Sequence, residues 1–122
     1  LEDFTGERRI QAEYYNKNLP NNENCILPYQ SSNSKSVFHL YVIQTPQRKK
    51  LQQYLKENNI GTAIHYPIPP HLQIAYKELN FKKGDFPIAE FLSNNLLSIP
   101  LYPGLKRVDQ DYIIENIRSF FK

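Results

Sequence analysis

Val37-Phe38-His39-Leu40-Tyr41-Val42-Ile43 is an unbroken apolar and aromatic run rich in β-formers, which reads as a strand covered on both faces. Thr45-Pro46 follows. Threonine is a good helix N-cap and proline suits the first helical position, so a helix is expected to start there. Leu51, Tyr54 and Leu55 supply its buried stripe, while Arg48, Lys49, Lys50, Lys56 and Glu57 are expected to face water. Asn59-Ile60-Gly61 closes the helix, with Asn59 or Gly61 available for the left-handed cap. Thr62 to Tyr66 then reads as a second short strand. Strand, helix and strand make one layered unit.

Upstream, the first ~20 residues carry a helical period, with Ile10 and Tyr14 on one face and Arg8, Arg9, Glu13 and Lys17 as polar cover. Pro20 and the cluster Asn21-Asn22-Glu23-Asn24 stop that helix, and residues 20–36 read as a loop or linker. Downstream, three prolines in Pro67-Ile68-Pro69-Pro70 forbid regular structure, because each fixes φ and removes a backbone donor. A short helix is expected over His71–Leu79. Another follows Gly84-Asp85-Phe86-Pro87, with Ile88, Phe91, Leu92 and Leu96 as its stripe. Leu97 to Leu101 reads as a third short strand interrupted by Pro100, which points to a strand end or a sheet edge. Val108–Phe121 places Ile113, Ile114, Ile117, Phe120 and Phe121 at helical spacing, with Asp109 and Asp111 near the positive helix start. The expected fold is α+β: a small, mostly antiparallel sheet of about three strands with helices packed on it.

The chain has 122 residues, 40% hydrophobic and 22% charged, a globular composition long enough for a real core. Its net charge of +3 comes from basic residues interleaved with acids, which is a solvated surface rather than a nucleic-acid face. No apolar run suits a membrane span or a signal peptide, and a cytoplasmic protein fits best. The single cysteine, Cys25, excludes an internal disulfide framework. It lies among asparagines with no adjacent histidine and is expected to be an exposed spectator thiol. The chain has no methionine and opens Leu1-Glu2-Asp3-Phe4, so it reads as a piece of a longer protein.

One constellation is dense enough to carry chemistry: His65-Tyr66-Pro67-Ile68-Pro69-Pro70-His71. Two imidazoles and a phenol at a strand end and in a stiff turn can bind phosphate or hydroxyl oxygens. The same residues also have a purely structural reading: His71 caps a helix, Tyr66 packs and His65 bonds a carbonyl. His65 and His71 have no third ligand nearby, so no metal site is expected. His39, within the apolar run, is expected in the core or at an interface. No glycine-rich phosphate loop, Gly-x-Ser-x-Gly elbow or His-Glu-x-x-His motif occurs. Asp109 with Asp111, and Glu7 with Glu13, read as helix-surface charges.

Several of these motifs stand in the order found in one family. Arg8-Arg9 with Tyr14 opens the series, followed by His39-Leu40-Tyr41-Val42-Ile43 and by Asn59-Ile60-Gly61. His65-Tyr66-Pro67 then leads through Pro69 and Pro70 to His71-Leu72-Gln73 and Ala75-Tyr76. Phe86-Pro87-Ile88-Ala89-Glu90 precedes Leu97-Ser98-Ile99-Pro100-Leu101-Tyr102-Pro103. The chain resembles the C-terminal part of the DegT/DnrJ/EryC1/StrS family of pyridoxal-phosphate sugar aminotransferases. The resemblance is most specific from His39 to Pro103 and weakest over 18–36. It implies the small domain of a fold-type I aminotransferase, with residues 1–19 as a helix leading from a large domain, 20–36 as a linker and 37–122 as the small domain. It further implies a homodimeric parent enzyme that moves an amino group from glutamate to a nucleotide-linked keto sugar, using pyridoxal 5'-phosphate. The Schiff-base lysine of such enzymes lies in a Ser- and Gly-rich context of the large domain; Lys35, between two serines, lacks the following glycines. No catalytic residue and no bound cofactor are therefore expected in this chain. Its expected substrate contacts are His65 and Tyr66, with His71 as their neighbour, while Arg8 and Arg9 are expected to join domains or subunits. The alternative reading is a stand-alone small-molecule-binding or subunit-interaction α+β module that uses the His65–His71 loop as its pocket.

Overall fold

A computed structural model describes residues 1–122. The chain runs α1 (Glu2–Asn18), β1 (Tyr41–Gln44), α2 (Arg48–Glu57), two 3-10 segments (Pro70–Leu72 and Ile74–Leu79), α3 (Pro87–Asn95), β2 (Leu96–Ile99) and α4 (Arg107–Phe120). β1 and β2 pair antiparallel, with Tyr41 opposite Ile99 and Ile43 opposite Leu97. Each outer edge carries a single further bridge, Ile26 with Gln44 on one side and Ala63 with Ser98 on the other. The fold is α+β, with two regular strands rather than three.

Alternation along the strands sorts the sheet into two faces. Tyr41, Ile43, Leu97 and Ile99 enter one core with Leu51 and Leu55 of α2, Ile113, Ile114 and Ile117 of α4, and Ala12 and Tyr15 of α1. Full burial of one such large side chain contributes about 1.5–3 kcal/mol. The tyrosines also connect elements through their hydroxyls. Tyr15 donates to the Pro100 carbonyl at 2.8 Å and Tyr41 to Asn16 Oδ1 at 2.6 Å. Tyr14 donates to Asp111 of α4 at 2.6 Å, beneath the guanidinium of Arg107, 3.5 Å above the ring. The Asp111 carboxylate holds the Tyr14 phenol above its usual range, so it remains a donor.

The helix ends follow local chemistry closely. Asn59 takes the left-handed conformation at φ 58°. The Asn59 and Ile60 amides bond the Lys56 and Leu55 carbonyls at 3.0 and 2.8 Å, and Ile60 is buried with Leu55. This is a Schellman motif with its hydrophobic contact. Pro87 opens α3 at its first position, and Pro100 lies just past β2.

Other expectations are corrected. The apolar run at 37–43 narrows to β1 because Phe38 turns at φ 45°, leaving Val37 exposed and only 41–44 in the ladder. His39 is likewise exposed, not in the core. Thr45 does not cap α2. Its hydroxyl accepts the Gln47 amide at 3.1 Å in a local turn, and the helix begins at Arg48. Arg48 is only 8% exposed, since its guanidinium donates to the Ser93 carbonyl in the last turn of α3, where a cation meets the negative helix end. Thr62–Tyr66 contributes one bridge, as the prolines that follow have no N–H with which to extend a ladder. His71–Leu79 forms two 3-10 segments broken at extended Gln73, instead of one α-helix. Along α1, Gln11, Ala12 and Tyr15 turn inward, as does Leu19 just past its end, while Ile10 stays exposed. The α3 stripe also points outward, with Ile88 74% and Phe91 55% exposed. Neither Glu7 nor Asp111 is a bare surface charge: Glu7 accepts the Gly104 amide at 2.9 Å, and Asp111 accepts the Tyr14 phenol.

The segment at 20–36 is more than a tether. Ile26 exchanges both backbone bonds with Gln44, at 2.8 and 2.9 Å, and this pairing carries Cys25 and Leu27 into the core. Cys25 is therefore buried rather than an exposed thiol, and burial pushes its thiol up to about 11. The native chain is expected to resist a thiol reagent at mildly alkaline pH and to react only on unfolding. Cys25→Ser, which buries a hydroxyl in place of sulfur, is expected to cost about 1–3 kcal/mol in a denaturant melt. Rapid labelling of the native chain would contradict this packing.

Candidate functional site

The bridge between Ala63 and Ser98 fixes where the constellation begins. The two residues exchange backbone bonds at 2.8 and 3.1 Å. Two residues on, the His65 ring lies beside β2 with its Nδ1 2.9 Å from Ser98 Oγ. Tyr66 stands edge-on to that ring, their centroids 5.6 Å apart, and is 69% exposed. The result is a half-buried imidazole, anchored at one nitrogen, beside a phenol that reaches into solvent. An arrangement of this kind can hydrogen-bond an oxygen-rich ligand laid against the sheet edge. Structure thus brings His65 and Tyr66 together.

It does not bring His71 to them. The 3-10 segment turns His71 toward α3, where Nε2 lies 3.0 Å from Glu90 Oε1 and both side chains are nearly buried. The imidazole also packs on Phe86 with ring centroids 4.8 Å apart, and Phe86 meets Phe81 edge to face. Pro70, Tyr76, Leu79 and Ala89 complete an almost wholly apolar hollow of about 350 Å³ around it. Here His71 acts as a polar pin between the proline loop and α3. This is close to its structural reading from sequence, except that the partner is a side chain and not a helix end. Sequence reasoning missed two partners, Ser98 and Glu90. Ser98 had a readable signal, as the one polar residue in Leu97-Ser98-Ile99. Glu90 had none, since it sits 19 residues from His71.

The remaining candidates do not converge on this edge. No three His, Cys, Asp or Glu side chains come together as metal ligands. A pyridoxal-phosphate site does not fit the residues present. A lysine dedicated to a Schiff base is activated by desolvation in a pocket, yet all ten lysines, Lys35 included, are exposed. The four glycines are scattered and build no phosphate cradle at a helix start. Arg9 donates to the Ser36 carbonyl at 2.9 Å and so ties α1 to the segment before β1.

Glu90 also accepts the Gly84 amide at 2.7 Å. That backbone bond first, and the His71 contact second, hold its carboxyl below the ordinary value of 4.5. A carboxylate lowered in this way stabilises the fold above its ordinary value, and the contribution disappears as pH falls through the lowered one. Glu90→Gln is therefore expected to weaken protection of the Gly84 amide in hydrogen exchange near neutral pH. The gap from the parent chain should close as the pH drops below that range. A gap independent of pH would mean that Glu90 acts by shape alone.

Comparison with known proteins gives the family. The model of the DegT/DnrJ/EryC1/StrS aminotransferase family matches residues 1–118. The chain is 36% identical to the pleiotropic regulatory protein of Geobacillus stearothermophilus, with 100% of this chain and 33% of that protein aligned. It is also 36% identical to the dTDP-3-amino-3,6-dideoxy-alpha-D-galactopyranose transaminase of Aneurinibacillus thermoaerophilus, over 98% of this chain and 32% of that one. Among solved structures, S. venezuelae DesV in complex with a ketimine intermediate superposes with a TM-score of 0.93 at 30% identity, covering 98% of this chain and 32% of DesV. The chain spans about a third of the length of the curated relatives it matches, and it belongs to the DegT/DnrJ/EryC1/StrS aminotransferase family.

Proposed function

We propose that this chain is the C-terminal small domain of a pyridoxal-phosphate enzyme that aminates a nucleotide-linked keto sugar with glutamate as donor, and that it is inactive alone. In this reading α1 leads in from a large domain, residues 37–122 form the small domain, and the 20–36 segment ties the two together. The observation that carries the proposal is the family match over residues 1–118, combined with an anchored His65 and an open Tyr66 at one sheet edge. The transaminase named for the Aneurinibacillus relative supports a nucleotide-sugar substrate. The chain has no helix long and apolar enough to cross a membrane, and the proposed compartment is the cytoplasm. The intact enzyme is proposed to be a homodimer.

The division of labour follows from the residues. Carbon–nitrogen transfer needs the cofactor as an electron sink, and its lysine and phosphate cradle belong to the part of the enzyme outside this chain. What this chain supplies is orientation. The free nitrogen of His65 and the Tyr66 hydroxyl bond oxygens of the sugar nucleotide, and the surrounding edge excludes water as the domains close. His71 serves the same surface from a distance, by holding the proline loop against α3.

Two measurements test this reading. In the full-length enzyme, Tyr66→Phe and His65→Ala are each expected to lower kcat/KM for the keto sugar by about tenfold, the worth of one lost hydrogen bond. The half-reaction with glutamate should be unaffected. Equal losses in both half-reactions, or none, would overturn the assignment. Treating the 122-residue chain with pyridoxal phosphate and borohydride is expected to give only scattered, substoichiometric lysine labelling. One stoichiometric adduct at a defined lysine would refute the division of labour.

A further inference from the structure

We infer that Ser98 is the positioning residue for His65: it fixes the imidazole in the Nε2–H tautomer, so that the outward nitrogen is a hydrogen-bond donor and the group it engages is an oxygen acceptor. The consequence for a ligand rests on the reading of His65 as a substrate contact; the tautomer itself rests on geometry alone.

Ser98 occupies an H-bonded bridge position opposite Ala63, with both of its backbone groups committed there. Alternation points its side chain away from the core face of Leu97 and Ile99, and the residue is nonetheless buried. Its hydroxyl has a single hydrogen-bond partner, His65 Nδ1 at 2.9 Å. A buried hydroxyl hydrogen without an acceptor costs the desolvation of that group. Were Nδ1 protonated in the neutral ring, the Ser98 hydrogen would have nowhere to go. With Nδ1 as acceptor the hydroxyl donates, both groups are satisfied, and the ring proton must sit on Nε2. Nε2 has no partner in the chain and is the nitrogen left for a ligand. In nucleotide sugars its complement is a keto, hydroxyl or phosphate oxygen. The donor is pre-set by the sheet, because β2 holds Ser98 and the bridge holds the His65 segment.

The test reads the tautomer directly, without ligand, by nitrogen-15 NMR of the imidazoles in the 122-residue chain; His65→Gln assigns the signals. The parent chain is expected to show His65 mainly as Nε2–H. Ser98→Ala is expected to lower the Nε2–H to Nδ1–H ratio about fivefold, equivalent to about 1 kcal/mol for one hydrogen bond. Ser98→Thr, which keeps the hydroxyl, should restore it. Amide spectra of each variant report whether the strands remain paired, and should the threonine variant fail to fold, the alanine comparison decides. A serine with only a packing role would lower stability in Ser98→Ala and leave the ratio unmoved. That outcome, a parent chain mainly in the Nδ1–H form, or a folded Ser98→Thr that does not restore the ratio would each overturn the inference. Because no ligand is involved, failure here is separable from failure of the kinetic assignment of His65.

Discussion

The antiparallel pairing of Tyr41–Gln44 with Leu96–Ile99 is the interaction on which the rest of this structure depends. It joins segments more than fifty residues apart, and everything between them is placed by that closure. A two-stranded ribbon is marginal in water by itself. Here its apolar face is covered by α1, α2 and α4, and each edge is finished by a single bridge. Those bridges have separate consequences. On the β1 side, Ile26 draws Cys25 and Leu27 into the core. On the β2 side, Ala63 brings His65 against Ser98.

That closure also separates two jobs within one short loop. His65 stays beside the sheet, its ring held by Ser98, with Tyr66 edge-on to it. His71, only six residues on, leaves with the 3-10 segment and becomes the polar centre of an aromatic cluster on α3. The proline-rich spacer is stiff enough to carry the chain from one environment to the other without intermediate ladder bonds.

The exposed apolar residues are coherent with membership of a larger molecule. Ile88, Phe91, Leu92 and Leu96 were readable as a stripe because a helix of this length usually buries one face. In this chain Ile88 and Phe91 on that face stay exposed. Periodicity states that a face is apolar. It carries no information on which body covers it.

Local signals in the sequence determined the α+β class, the four α-helices to within a few residues, a left-handed cap at Asn59 or Gly61 and a proline break in the last strand. Each of these is a short-range preference: a φ angle, a missing donor, or a helical period. The aromatic pair His65-Tyr66 was legible for the same reason, because unusual side chains in a stiff turn are visible without a partner. Only the tertiary structure decided that Arg48 is buried against the end of α3, that Cys25 is shielded, that Thr62–Tyr66 makes one bridge, and that His71 answers to Glu90 and not to His65. All four depend on contacts between residues distant in sequence. In those contacts, burial and hydrogen-bond satisfaction across the closed sheet outweigh local propensity.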